Sequence, residues 1–178
     1  MKRGKKLKKK EKILPFSHLT DTELESLYPH FSYESHPGGT ILLVQEISRT
    51  DSFLVLSRGS ARYYYDDTHT RILAGNLGEG EDFGGISILM NDAISTRTLE
   101  VTEDSTFMTL PAQAFIDACR RLPALNDYFA LQFGRLMQNP SYAGIILRHQ
   151  RDKELNLPFF NQPISAMFRP NLVTCSID

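Results

Sequence analysis

Between Gly78 and Val101 the chain reads GEGEDFGGISILMNDAISTRTLEV. A glycine-rich turn runs into a short apolar helix expected over Gly85 to Met90, and a lone arginine follows at Arg97-Thr98. Glycine lets a ligand approach the backbone, the first amides of a helix point outward, and the helix dipole favours negative charge. Arginine adds charge-assisted bonds that are bidentate to a phosphate, and a neighbouring hydroxyl adds a donor. Two readings fit: an anion pocket, or a tight turn carrying a surface arginine.

No other cluster assembles a reaction centre. His18, His30, His36, His69 and His149 are scattered, with no pair at metal-ligand spacing. Cys119 and Cys175 lie far apart, and Cys119 falls within an expected helix among core positions. They read as spare thiols in a reduced cytoplasm. No Ser/His/Asp or Cys/His set is apparent. The expectation is a cytoplasmic protein that is not an enzyme and has neither a cofactor nor a metal.

The elements that must hold this segment follow from local patterns. Thr20-Asp21-Thr22-Glu23 is a capping box that opens a short helix, closed by Pro29. From Phe31 to Leu110 the texture is short apolar or alternating runs: Phe31 to Ser35, Thr40 to Gln45, Ser52 to Ser57, Ser60 to Tyr65, Thr70 to Ala74, Thr98 to Thr102 and Ser105 to Leu110. Turn residues separate them, which predicts an antiparallel jelly-roll β-sandwich or barrel. Helices return at Pro111 to Cys119 and Pro123 to Gln138, and Asn139-Pro140 marks a break before Ser141 to Leu155. The fold class is mainly β with flanking helices, a short one before the sheets and long ones after. The broad apolar face of the Pro123 helix predicts a homodimer through the C-terminal helices.

Charge divides the chain. Lys2 to Lys12 hold eight basic residues against Glu11, a net of +7, which leaves −8 for the rest of the 178 residues. An acidic body argues against a DNA-reading surface. The arm is read either as a solubilising end or as a weak contact for anionic partners. No apolar run approaches the 18 residues of a membrane span.

The ordered combination of these features resembles the cyclic-nucleotide-binding domain of the bacterial catabolite activator and of protein kinase A regulatory subunits. The resemblance covers Phe16 to Met137. It rests on LTDTELESL, PGGTILLVQ, FLVLSRGSARYYY and the family's phosphate cassette, matched by Phe83, Gly84, Ile86, Ile88, Leu89, Arg97, Thr98 and Val101. It implies a ligand, cyclic AMP or cyclic GMP, held by Gly84, Gly85, Ile86, Ser87, Arg97 and Thr98. Arg97 would pair with the cyclic phosphate, Thr98 would assist, and the amides from Gly84 to Ser87 would complete the cradle. The Pro123 helix would cap the base.

Departures from the family pattern touch the other half of the pocket. Gly85 stands where the family places the glutamate that holds the ribose 2′-hydroxyl, and Leu99-Glu100 replace a small residue and a hydroxyl. The loop from Gly85 to Arg97 is longer than usual. Glu81 or Asp82 could compensate for the missing glutamate, but nothing in the sequence places either at the ribose. A divergent pocket for another anion, or a degenerate fold serving dimerisation or protein interaction, is the alternative. Farther on, PISAMFRPNLVTCSID resembles the opening of a CBS domain. That implies the N-terminal sensor of a bacterial signalling protein joining a cyclic-nucleotide-like domain to CBS and nucleotidyltransferase-like domains. The expected organisation is a basic arm over 1–12, a cyclic-nucleotide-binding-like domain over 13–138, a helical extension over 139–157 and a linker into a further module over 158–178. No DNA-reading module is expected.

Overall fold

The computed structural model describes residues 15–67 and 70–150. The basic arm, Cys175 and the CBS-like stretch lie outside the described residues.

Thr20 caps the first helix, α1 (Asp21–Leu27): its hydroxyl accepts the Glu23 amide while the Glu23 carboxylate accepts the Thr20 N–H. The capping box therefore forms as its residue types require. Leu24 and Leu27 point inward, and Phe16 and Leu19 just upstream are buried with them.

Eight strands follow. They are β1 (Ser32–His36), β2 (Ile41–Leu43), β3 (Ser52–Arg58), β4 (Ala61–Asp67), β5 (Thr70–Leu77), β6 (Asp82–Phe83), β7 (Thr98–Val101) and β8 (Ser105–Pro111). They form two antiparallel four-stranded sheets, β1-β8-β3-β6 and β2-β7-β4-β5. This is the expected sandwich, with one addition: β6, only two residues long, pairs with Leu54 and Val55 of β3. The second strand is shorter than the run Thr40 to Gln45, because the chain turns at Val44 and Glu46 takes a positive φ of 57°.

Alternation along the strands separates two cores. Leu56, Phe83, Leu99, Val101 and Phe107 fill the space between the sheets. On the other face of β3 and β8, Phe53, Val55, Met108 and Leu110 meet the helices. Those helices are α2 (Gly85–Met90), α3 (Ala112–Arg121), α4 (Pro123–Leu136) and α5 (Pro140–Gln150). Phe53 stacks on Phe115 of α3 at 4.5 Å and meets Phe129 of α4 edge-on at 5.7 Å. Leu125, Phe129 and Phe133 recur every four residues, so one stripe of α4 is buried while Leu131 stays 57% exposed. Aromatic pairs of this kind contribute roughly 1 kcal/mol each beyond area burial, and they fix α3 and α4 over β3, beside the glycine-rich segment. Pro140 starts α5 where the sequence breaks.

Candidate functional site

The glycine-rich turn is stapled to β3. Leu56 donates to the Glu81 carbonyl and accepts from Gly80, and the Glu81 carboxylate accepts the Gly78 N–H at 2.6 Å. The chain then reverses at Gly84, the residue before α2, with φ at 95°. Space demands glycine there as well as the backbone does, since a Cβ would lie 2.8 Å from Thr50 Cγ2. All six residues of α2 are buried.

Beyond α2 the loop turns through Asp92 and Ala93, both with positive φ. Asn91 Nδ2 donates to the Ile94 carbonyl at 2.7 Å, and the Thr50 N–H donates to the Ala93 carbonyl across the loop. Ser87 Oγ accepts the Thr96 N–H at 3.2 Å. That bond ties α2 to the start of β7 and fixes where the next residue, Arg97, emerges.

The Arg97 guanidinium lies over three rings: 4.5 Å from the centroid of Tyr63, 5.0 Å from Phe83 and 5.6 Å from Tyr142. It forms no salt bridge with any described residue. Its Nε is buried without a hydrogen-bond partner among them. Aromatic faces stabilise a cation by about 0.5–2 kcal/mol, but they satisfy none of its directional donors. A group that gives five donors in a planar fork thus lies against rings, with no hydrogen-bond acceptor for its buried Nε among the described residues.

The three rings come from separate elements. Tyr63 belongs to β4, where Gly75 opposite leaves room for its ring. Phe83 belongs to β6. Tyr142 belongs to α5, is 2% exposed, and shares a 2.9 Å hydrogen bond with Thr96 Oγ1, the residue next to Arg97. Helix α5 is therefore joined directly to the loop that carries the arginine.

A cleft of about 310 Å³ opens beside Arg97, between the Gly80–Asp82 segment and α4. Tyr63, Ile86, Tyr128, Phe129 and Gln132 line it together with Glu81 and Asp82. Tyr128 donates to Asp82 Oδ1 at 3.2 Å, a clasp between β6 and α4. Burial pushes the Asp82 carboxyl up to about 6, against the pull of the Tyr128 bond and the Arg97 charge, with Glu81 adding to the rise. Burial and the neighbouring Asp82 drive the Tyr128 phenol above its ordinary range. The cleft thus carries one cation and two carboxylates, an arrangement suited to a ligand with both an anionic group and hydrogen-bond donors.

Of the positions expected from the sequence, Ile86 and Arg97 line this cleft. Gly84 makes the turn beneath it. Gly85 lies against α4: a Cβ built there would be 2.5 Å from Phe129 Cε1. The Ser87 hydroxyl faces Thr96. Thr98 Oγ1 accepts the Gln45 N–H at 3.1 Å and is buried, tying β7 to the end of β2. Tyr63, Tyr128 and Tyr142 were not among the expected site residues, and Asp82 entered, with Glu81, only as an acid that could stand in for the missing glutamate. Asp82 had a signal, as an acid directly before Phe83-Gly84. The tyrosines had none, because their positions depend on tertiary contacts.

Elsewhere the described residues hold no cluster of His, Cys, Asp and Glu that could bind a metal ion. Cys119 is buried, which pushes its thiol up to about 12. No described helix is long and apolar enough to cross a membrane.

A family model described as the cyclic nucleotide-binding domain matches residues 33–122, a span that includes the whole cassette and both sheets. Among solved structures, the catabolite activator protein of Thermus thermophilus aligns with a TM-score of 0.60 at 20% identity, over 73% of this chain and 61% of that one. The sensor domain of the transcriptional regulator DNR from Pseudomonas aeruginosa aligns at 0.58 and 16%, over 79% of this chain and 89% of that one. The regulatory subunit of a cAMP-independent protein kinase A from Trypanosoma brucei aligns at 0.57 and 19%, over 74% and 46%. At these identities the likeness is one of fold. The chain spans about 61% of the Thermus protein and less than half of the Trypanosoma subunit. No curated protein matches the chain by sequence.

Proposed function

The chain belongs to the cyclic nucleotide-binding domain family, and on that premise we propose that it is a regulatory sensor domain of an intracellular signalling protein. It takes a cyclic nucleotide, cyclic AMP or cyclic GMP, or a related phosphate-bearing ligand, at Arg97, and relays occupancy through α5. The observation that carries this reading is the state of Arg97: a cation beside a cleft, held over rings, with a buried Nε that has no partner among the described residues. A phosphate supplies what the rings lack. Charge-assisted hydrogen bonds contribute about 1.5–3 kcal/mol each, more than the aromatic faces they replace.

The relay follows from Tyr142. Its ring helps hold the guanidinium and its hydroxyl bonds Thr96, so α5 docks on the residues that a ligand would reorganise. An anion drawing Arg97 into the cleft weakens the contact with α5 and leaves Tyr63 in place. Coupling of this kind requires a ligand that binds one position of α5 better than the other. In this reading the role is regulatory rather than catalytic, and α5 leads towards further modules of the same polypeptide. Hydrogen exchange over 140–150, with and without millimolar cyclic AMP, tests it. The reading expects faster exchange in α5 with ligand. Unchanged exchange at saturation would remove the relay.

A second reading is favoured by Phe129. Its ring packs where a side chain at position 85 would begin, so α4 seats directly on the cassette. A degenerate, non-binding domain serving dimerisation or protein interaction fits that packing. Leu131 and Leu147, 57% and 49% exposed on α4 and α5, would then belong to a homodimer seam. Melting the chain with and without cyclic AMP separates the two, since this reading expects a dimer, checked by light scattering, that no cyclic nucleotide stabilises against heat.

A further inference from the structure

We propose that Asp82 is the specificity-determining acceptor of this cleft, selecting a phosphoester that also carries a free hydroxyl. The inference rests on the reading of Arg97 as the anion site and deepens it.

The starting point is what position 85 cannot do. Gly85 has no side chain, and Phe129 packs against it too closely for one to be added. An acceptor for a ligand hydroxyl must come from elsewhere on the cleft wall. Glu81, Asp82 and Gln132 carry suitable oxygens. The Glu81 carboxylate closes the turn through a 2.6 Å bond from the Gly78 N–H. Gln132 offers an uncharged amide on α4. Asp82 is the carboxylate set deepest against α4, and Tyr128 engages it through a single 3.2 Å bond to Oδ1. A carboxylate has about four acceptor sites, so it can keep Tyr128 and take a second donor.

Charge makes the selection. Arg97 and Asp82 line the same cleft, close enough for the arginine to draw the carboxyl's proton affinity down. A bare anion at Arg97 brings negative charge towards Asp82 and Glu81 without giving either a hydrogen bond. A ligand that presents a hydroxyl beside its phosphate offsets that repulsion, because a hydrogen bond to a charged acceptor is among the stronger ones. The cleft therefore favours a ribose cyclic phosphate over inorganic phosphate or a deoxyribose analogue.

The test compares cyclic AMP with 2′-deoxy cyclic AMP by calorimetry at pH 7.5, on the full chain and on Asp82→Ala and Asp82→Asn. The chain should prefer cyclic AMP roughly 10- to 100-fold, as expected for one charged hydrogen bond. Asp82→Ala should bring that preference within about threefold, weakening cyclic AMP through the lost charged bond while the deoxy analogue, freed of the carboxylate's repulsion, binds at least as well as to the wild type. Asp82→Asn keeps shape and an acceptor, so it guards against a folding defect and should retain part of the preference. If the two ligands bind the wild-type chain equally, or Asp82→Ala keeps the full preference, Asp82 is not the acceptor; Arg97→Ala then reports separately whether the anion site stands. If the preference disappears in Gln132→Ala instead, the acceptor is Gln132 and the proposal fails. No binding of either ligand to the wild-type chain overturns both readings.

Discussion

Gly85 and Phe129 occupy adjoining space so closely that a Cβ on the glycine would stand 2.5 Å from Cε1 of the ring. The neighbour is part of a packed aromatic cluster with Phe53 and Phe115, not the end of a flexible side chain. Gly85→Ala should therefore destabilise the fold by about 1–3 kcal/mol, the usual range for an overpacked core. Phe129→Leu should relieve part of that strain. Denaturant melts of the two single variants and the double variant measure the coupling, and additive losses would show that the residues do not compete for space. It also follows that Gly85→Glu would not simply restore the family's carboxylate, because α4 must move to admit it.

Asp82 gives a pH signature. Its carboxyl is raised from 3.8 to about 6 in the folded chain. Between those values the folded state binds more protons than the unfolded state, so stability falls as pH rises from about 4 to about 6 and then levels. A shift of this size corresponds to about 3 kcal/mol. Asp82→Asn, which resembles the neutral acid, should match the wild type near pH 4 and be the more stable protein at pH 7. Melting curves across that window check it. A wild type that gains stability relative to Asp82→Asn on going from pH 4 to pH 7 would contradict the raised carboxyl.

In the proposed relay, Tyr142 and a ligand would compete for Arg97. Tyr142→Leu removes the ring and the Thr96 bond, so it should destabilise the fold by about 2–5 kcal/mol through loss of a buried ring. It should also raise ligand affinity roughly three- to tenfold, the worth of one aromatic face released from the cation. Tyr142→Phe keeps the ring and loses only the hydroxyl bond, which should cost about 1 kcal/mol and leave affinity nearly unchanged. Titrating both variants separates the two roles.

Arg97→Lys retains charge but loses the planar fork. Its fold should stay within about 1 kcal/mol of wild type, while ligand affinity should drop by roughly one to two decades through the lost bidentate bond. Equal affinity in the lysine variant would mean that the site recognises charge without geometry.

Local signals made much of this legible in advance. The capping box at Thr20 and Glu23 involves residues three apart, so the sequence contains the whole interaction. The limits of α2 were visible because Gly84 and the apolar run to Met90 mark both ends. The second strand of the Leu54–Phe83 pairing was not, since two residues become a strand only when β3 is beside them. The site divides along the same line. Arg97 was legible from its place after the glycine-rich turn, but its rings were not, because Tyr63 and Tyr142 reach it from a distant strand and from α5. Gly85 read as a missing carboxylate; only packing reveals the ring of Phe129 in its place. Ser87 and Thr98 are of the types that bind phosphate, yet their hydroxyls meet Thr96 and Gln45 inside the protein.

On the proposed function, Arg97 is the anion site for a cyclic nucleotide. Isothermal titration calorimetry of the wild-type chain and of Arg97→Ala with cyclic AMP and cyclic GMP tests it most directly. Saturable binding of at least one nucleotide to the wild type is expected, with a loss of about two decades or more in the alanine variant from the missing charged hydrogen bonds. No heat and no melting shift at millimolar ligand, or equal affinity without the arginine, would contradict it.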